Sequence, residues 1–200
     1  MAKSKVTDIV ARRRKIAVAG FTGDEVVARE GLVDPAGDVR ATALGALLRM
    51  GHLTVGDIEA ALSDDDAAVR RRACEVSAVL PVAGVAAALT DSDPLVVEAA
   101  CFALGERGVE TEGAAVAALS GVATGHSDPL CREAAIAALG AIGDQAGLSA
   151  ILAAMEDKPA VRRRAVIALA PFEGPAVEEA LAKALTDRDW QVRQAAEDLS

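Results

Sequence analysis

A phrase of the form Val-Arg-x-x-Ala returns six times along this chain, each time before a run rich in Ala and Leu. The copies begin at Val39, Val69, Val96, Cys131, Val161 and Val192. The intervals between them are 30, 27, 35, 30 and 31 residues. A period of this size is typical of folds in which short supersecondary units stack on one another, and it constrains the fold more than any other feature of the sequence.

Each copy predicts a pair of helices. In the first copy, apolar residues recur at the i, i+4, i+7, i+8 and i+11 positions of one helical face, namely Val39, Ala43, Ala46, Leu47 and Met50. Gly51 follows as a helix stop, and residues 55–62 predict a second amphipathic helix. Such a hairpin has apolar surface on two sides and buries both only by stacking between neighbours. The sequence therefore predicts an all-α fold, and specifically an α-solenoid.

We expect one domain over residues 1–200, built in three parts. Five repeats occupy residues 34–186, a diverged hairpin that caps the stack occupies residues 6–33, and a closing helix occupies residues 187–200. The capping hairpin is predicted to hold helices over residues 7–19 and 24–32. Its Arg12–Lys15 run suits a polar outer surface.

The two irregular intervals fall in the middle of the array. The 27-residue interval is expected to keep the two-helix plan, with Val82, Val85 and Leu89 on one face of an amphipathic second helix. The 35-residue interval contains the segment Gly121–Ser127, which we expect to be a tolerated insertion in a surface connection, with a binding loop as the alternative.

Composition and charge restrict the function. The net charge of −9 argues against a protein that grips nucleic acid through its phosphates. No apolar stretch approaches the roughly 18 residues of a membrane span, and the first residues lack the apolar core of a signal peptide. We therefore expect a cytoplasmic protein. Three cysteines without metal-ligand spacing are expected to be buried core residues, namely Cys74, Cys101 and Cys131.

Two stretches carry a resemblance to a known family. DPLCREAAIAALGAIG, from Asp128 to Gly143, and DPLVVEAACFALG, from Asp93 to Gly105, resemble the short bacterial HEAT-like repeats, including the type found in phycobilin lyases. The resemblance covers residues 34–200 and implies a right-handed superhelix of stacked hairpins. It also implies that the arginine of each phrase and the turn aspartates form a structural ladder between repeats. The ladder residues are Arg40, Arg70, Arg132, Arg162 and Arg193, and Val97 interrupts the series.

The same resemblance implies that the first helix of each pair lines a concave surface. Partner-binding residues are then expected among the positions of that helix that differ between copies. They are Arg49, Arg71, Arg72, Glu75, Glu98, Phe102, Glu106, Glu133, Arg163, Arg164 and Ile167. An aromatic side chain framed by charges is typical of a protein or peptide site. The alternative is that Phe102 is half buried and that the pairs Arg71/Arg72 and Arg163/Arg164 are exposed to solvent without binding a partner.

No constellation of catalytic residues is recognisable. His52 and His126 fall in separate turns without a nearby Cys or carboxylate pair at metal spacing, so we expect no enzyme, no metal and no cofactor. The leading hypothesis is a scaffold that binds a protein or peptide, as a monomer or weak dimer. The alternatives are a lyase-type or chaperone-like factor and a nucleic-acid-associated protein. Trp190 is either a contact residue or a cover for the end of the stack.

Overall fold

Helices are the only regular secondary structure in the part of the chain that the structure describes. This structure is a computed structural model, and it describes residues 2–108 and 113–199, with side chains from Thr7 onward. The helices pair as hairpins, which confirms the predicted all-α fold of the α-solenoid type. Within the described residues, no helix has the length and apolar character to cross a bilayer. The chain divides into two compact units, residues 1–88 and 89–200.

Unit 1 contains two helical hairpins and the first helix of a third. Its helices are α1 (Ala2–Thr22), α2 (Glu25–Glu30), α3 (Gly37–Met50), α4 (Val55–Leu62) and α5 (Ala67–Ser77). The first helices of the hairpins, α1, α3 and α5, pack side by side in one layer, and α2 and α4 lie behind them. Leu44, Leu47 and Ile58 are fully buried between the layers. Helix α1 extends beyond the predicted residues 7–19 at both ends, and α2 with the 3₁₀ helix Gly31–Val33 occupies the region predicted as residues 24–32.

Unit 2 repeats this two-layer arrangement. Its helices are α6 (Pro94–Glu106), α7 (Gly113–Gly125), α8 (Pro129–Ile142), α9 (Leu148–Ala153), α10 (Pro159–Ala168), α11 (Pro175–Ala184) and α12 (Trp190–Glu197). The first helices α6, α8, α10 and α12 pack in sequence, and α7, α9 and α11 form the second layer. Leu104, Leu119, Ile136 and Leu139 are fully buried in its core.

The predicted helix starts and stops have clear physical causes. Four first helices begin after an aspartate whose side chain accepts a backbone N–H two residues on, at 2.9 Å, namely Asp66, Asp93, Asp128 and Asp189. Helix α3 ends at Gly51, where the left-handed φ of 73° favours glycine. Helix α10 differs, because Lys158 stands at its N-cap and the carboxylate of Asp157 is bound to Arg132 instead.

The two irregular intervals differ from the others in the second helix of the pair. In the 27-residue interval the second helix is not α-helical but a 3₁₀ helix over Ala83–Thr90. Eight residues at a 3₁₀ rise span about 16 Å, which matches the roughly 15 Å of the ten-residue α11. Val85 and Leu89 of this 3₁₀ helix are buried.

The expected surface insertion at Gly121–Ser127 is wrong for most of its length. Residues 121–125 continue α7 to Gly125. Val116, Leu119 and Ala123 lie on one helical face and are buried, so burial of this face holds the added turn in the helix. The added residues at 121–125 therefore lengthen a helix.

Successive first helices approach each other through small residues. A Cβ on Gly105 would lie 3.0 Å from the Cα of Ala138, and one on Gly140 would lie 2.7 Å from the Cα of Ala168. Side chains at these two positions would push the backbones apart. The Ala-Leu-Gly part of the repeat therefore sets the distance between neighbouring hairpins.

Gly140→Ala should destabilise the protein even though it removes a glycine from a helix. Helix propensity favours alanine by roughly 0.5–1 kcal/mol, but overpacking typically costs about 1–3 kcal/mol. We expect a net loss of about 1–2 kcal/mol in the free energy of unfolding, measured with urea. The control is Gly121→Ala in α7, where no atom lies within 4 Å of the new Cβ and a small gain is expected. A gain in the free energy of unfolding at both positions would show that the contact between Gly140 and Ala168 tolerates a larger side chain.

Candidate functional site

Three arginines of the repeat phrase bind the turn that follows their own hairpin. Arg40 donates from Nε and Nη2 to the two carboxylate oxygens of Asp64, at 2.8 and 2.6 Å. The same paired bonds, at 2.6–2.8 Å, join Arg132 to Asp157 and Arg162 to Asp187. In all three, Nη1 also donates to a carbonyl of the turn before the arginine's own helix, at 2.8 Å. Each guanidinium therefore joins two successive turns.

The other two predicted ladder arginines bind turn carbonyls. Arg70 donates to the carbonyl oxygens of Asp64 and Asp65, at 2.8 and 3.2 Å. Arg193 donates to the carbonyl of Asp187, at 2.7 Å. In the third copy the position is taken by Val97, which is fully buried. That copy supplies an apolar contact where the others supply a guanidinium.

Arg12 makes the same paired bonds, and sequence reasoning missed it. Its Nε and Nη2 donate to the carboxylate oxygens of Asp34 at 2.8 and 3.2 Å. The signal was present, because the Arg-Arg-Arg run that starts at Arg12 is in the same register as the runs that start at Arg70 and Arg162. Ala11 replaces the Val of the phrase and concealed the match.

The bridging carboxyls are held in their charged form. Hydrogen bonding from Arg40, Arg132 and Arg162 lowers the pKa of Asp64, Asp157 and Asp187 below the ordinary aspartate value. Burial of these carboxyls opposes the shift and is the weaker influence at all three. The pairs are therefore ionic at neutral pH, although both partners are mostly covered.

The first helices of unit 1 form a charged cleft of about 340 Å³. Its charged lining consists of Arg13, Asp38, Arg49, Arg71, Arg72 and Glu75. Glu75 pairs with Arg71 at 3.3 Å and with Arg72 at 2.8 Å. Arg49 stacks on the exposed ring of Phe21, with its guanidinium carbon 4.1 Å from the ring centroid. Most cations of this cleft are thus engaged by the chain itself.

The first helices of unit 2 form a groove of about 380 Å³ between α6 and α8. One side carries Glu98, Phe102 and Glu106 of α6, and the floor is made of small residues of α8, namely Ala134, Ala137, Ala138 and Ala141. The Phe102 side chain is 54% exposed, so it is not a core residue. Arg164 of α10 completes the lining.

The remaining predicted site residues lie on α8 and α10. Glu133 accepts a hydrogen bond from Arg164 Nη2 at 3.3 Å, which places Arg164 in an ion pair. Ile167 is 43% exposed and Arg163 is half-buried, and both lie outside the groove lining. The structure thus gathers four predicted residues in the cleft of unit 1 and four, namely Glu98, Phe102, Glu106 and Arg164, around the groove of unit 2.

Exposed apolar residues also follow the helix caps of unit 2. Leu95, Leu130 and Trp190 each come directly after the first residue or N-cap of a first helix, and their exposed fractions are 49%, 58% and 64%. Trp190 is thus largely solvent-exposed, which favours a contact residue over a cover for the end of the stack.

The histidines and cysteines have structural surroundings. His52 Nδ1 lies 2.6 Å from a Glu25 carboxylate oxygen, and His126 Nδ1 accepts the backbone N–H of Asp128 at 3.1 Å. All three cysteines are buried and free of disulfides, and burial raises the pKa of the Cys131 thiol to about 11. Among the described residues, no three His, Cys, Asp or Glu side chains are placed to hold a metal ion.

The repeat geometry agrees with comparisons of the sequence with protein families. A model of HEAT repeats matches residues 82–170, and a model of the PBS lyase HEAT-like repeat matches residues 161–187. Residues 82–187 of this chain are therefore HEAT-like repeats. The resemblance inferred from the Asp93–Gly105 and Asp128–Gly143 stretches is confirmed. No curated protein matches this sequence.

Solved structures share its fold. An engineered protein aligns with a TM-score of 0.61 and 20% identity, over 87% of this chain and 94% of its own. A designed armadillo repeat protein in complex with the peptide (KR)4 aligns with a TM-score of 0.66 and 17% identity, over 85% and 95%. Human deoxyhypusine hydroxylase aligns with a TM-score of 0.51 and 23% identity, over 95% and 78%. Identities this low establish a common fold only.

Replacing a bridging arginine should cost far more than replacing its neighbour. Arg162→Met would leave the carboxylate of Asp187 mostly covered without its partner, and we expect a loss of about 2–3 kcal/mol in urea unfolding. Arg163→Met, on the same helix but half-exposed, should change stability by less than about 0.5 kcal/mol. Equal effects would contradict a structural bridge at Arg162.

The bridges should make stability depend on acid. Because the folded pKa of Asp187 is lowered, its stabilisation is present above the unfolded value of about 3.9 and is lost as the pH falls through the folded value. At neutral pH, Asp187→Asn should be about 1.5 kcal/mol less stable than the wild type. This difference should shrink as the pH falls below about 4, in urea unfolding followed by circular dichroism. With the exposed Glu59→Gln as control, a gap that stays constant with pH would contradict the ionic bridge.

Proposed function

We propose that this HEAT-like repeat protein is a non-enzymatic scaffold that binds a partner protein or peptide on the face formed by its first helices. The observation that carries the proposal is the groove of unit 2, where an exposed aromatic ring stands beside a small-residue floor and unsatisfied charges. Aromatic side chains in partly enclosed pockets are frequent anchors of protein interfaces. Because the ring of Phe102 is exposed, it is not part of the buried core.

The different roles of the positions within each repeat support this proposal. The Val, Ala and Leu positions of each copy are buried, and the arginine position binds turns. The positions that differ between copies lie on the first-helix face. At the position of Phe102, the other five copies carry Gly45, Glu75, Ala137, Ile167 and Asp198. Side chains that neither fill the core nor bridge repeats are available for recognition.

The shared fold adds support of a general kind. The designed armadillo repeat protein that shares this fold has a structure that contains a bound peptide. A surface made of stacked helices presents side chains from several repeats to one extended ligand. We infer that the present chain uses its corresponding helices in the same general way.

Site-specific photo-crosslinking tests the proposal. The photo-reactive residue p-benzoyl-phenylalanine replaces Phe102 in the full chain, which is expressed in its source cell and illuminated. We expect discrete adducts, identified by mass spectrometry, because the side chain at this position faces the partner. The control places the same residue at Glu179, which is exposed on the second-layer helix α11.

The comparison of the two positions decides the outcome. Adducts at position 102 that are at least about fivefold more abundant than at position 179 support a binding face on the first helices. Equal labelling at both positions, or labelling confined to position 179, would place the partner elsewhere and overturn the proposal.

A further inference from the structure

We propose that the groove between α6 and α8 binds an arginine side chain from a basic segment of the partner. The guanidinium would lie on the ring of Phe102 between the carboxylates of Glu98 and Glu106, with its aliphatic stem on the alanine floor. This inference rests on the proposed scaffold function and names the chemistry of its ligand.

The first step is the charge of the groove. Glu98 and Glu106 are exposed, and neither makes an ion pair with any residue that the structure describes. Arg164, the basic residue of the lining, is held by Glu133. The lining therefore keeps two uncompensated negative charges, and a cation from outside is what they attract.

The second step is the spacing along α6. Glu98, Phe102 and Glu106 are four residues apart, so they share one face, with a rise of about 6 Å between neighbours. Each carboxylate stands one turn from the aromatic ring. A planar cation on the ring thus has an acceptor on either side.

The third step is that this chain already contains such a contact in unit 1. There Arg49 covers the ring of Phe21 at 4.1 Å. Among the described residues, no Lys or Arg covers the ring of Phe102. The ring in unit 2 therefore offers an open face for a cation, and its flanking carboxylates make that face more favourable than an isolated ring.

The fourth step is the shape of the floor. Gly105 and Ala138 touch so closely that the groove is closed beneath the alanines. A shallow apolar floor suits a slender methylene stem. The guanidinium group stacks on aromatic rings and donates two parallel hydrogen bonds to a carboxylate, which an ammonium group does not do. The groove accordingly favours arginine over lysine.

The test measures the binding of a dye-labelled octapeptide of alternating alanine and arginine by fluorescence anisotropy at low salt. Matched peptides carry lysine or the neutral isostere citrulline in place of each arginine. We expect the citrulline peptide to bind about tenfold more weakly and the lysine peptide about threefold more weakly.

Variants of the protein locate the binding. Glu98→Gln with Glu106→Gln should weaken binding of the arginine peptide about tenfold, and Phe102→Ala about threefold. The matched control is Glu178→Gln with Glu179→Gln on α11, which changes the net charge equally and should alter binding less than twofold. Circular dichroism confirms that each variant is folded.

Several results would overturn the inference. Equal weakening by the α11 control would show attraction to the acidic chain as a whole, and equal binding of the citrulline peptide would show that charge is not recognised. Absence of arginine-peptide binding to the wild type would also overturn the inference. If position 102 crosslinks an acidic or neutral partner, the arginine site fails while the scaffold stands. If the arginine peptide binds but position 102 captures nothing in the cell, the scaffold fails instead.

Discussion

The close approach of successive first helices is the constraint on which the rest of each unit depends. Where Gly140 meets Ala168, the two backbones leave no room for a Cβ. At this separation an arginine at the start of one helix reaches the aspartate of the next turn, as Arg132 reaches Asp157. Gly105 and Ala138 meet in the same way, and they lie in the lining of the groove in unit 2. Selectivity on that floor must come from the longer side chains at its edges.

The arginine bridges show why a recurring residue is a poor guide to function in a repeat protein. A side chain that returns in every copy performs a task that every copy shares. Arg40 and Arg162 illustrate this, because each guanidinium donates hydrogen bonds to a carboxylate of one turn and a carbonyl of the adjacent turn. Such a guanidinium is mostly covered and has little left to offer a ligand. Recognition falls to positions that the shared task leaves free.

The periodic part of the architecture could be predicted because it arises from local causes. Helical spacing, capping aspartates and stop glycines act within a few residues, so the sequence displays them directly. The irregular parts depend on packing at a distance. The sequence does not display the 3₁₀ winding of Ala83–Thr90, and the extension of α7 over residues 121–125 follows from burial of its inner face. The role of Arg12 was hidden because Ala11 stands where other copies carry Val.

The sequence could predict the candidate site only as a set of variable positions on the first helices. Which of these side chains are available to a partner depends on how the charges pair in the folded structure. Glu75 and Glu98 were equivalent candidates in the sequence. In the structure, Glu75 is paired with Arg71 and Arg72, whereas Glu98 forms no ion pair with a described residue and the nearby Arg164 is paired with Glu133. A charge that its own fold has already satisfied gains little from a partner, since the partner must first displace the internal pair. The carboxylates of Glu98 and Glu106 around Phe102 require no such displacement, and for this reason we propose unit 2 as the place of recognition.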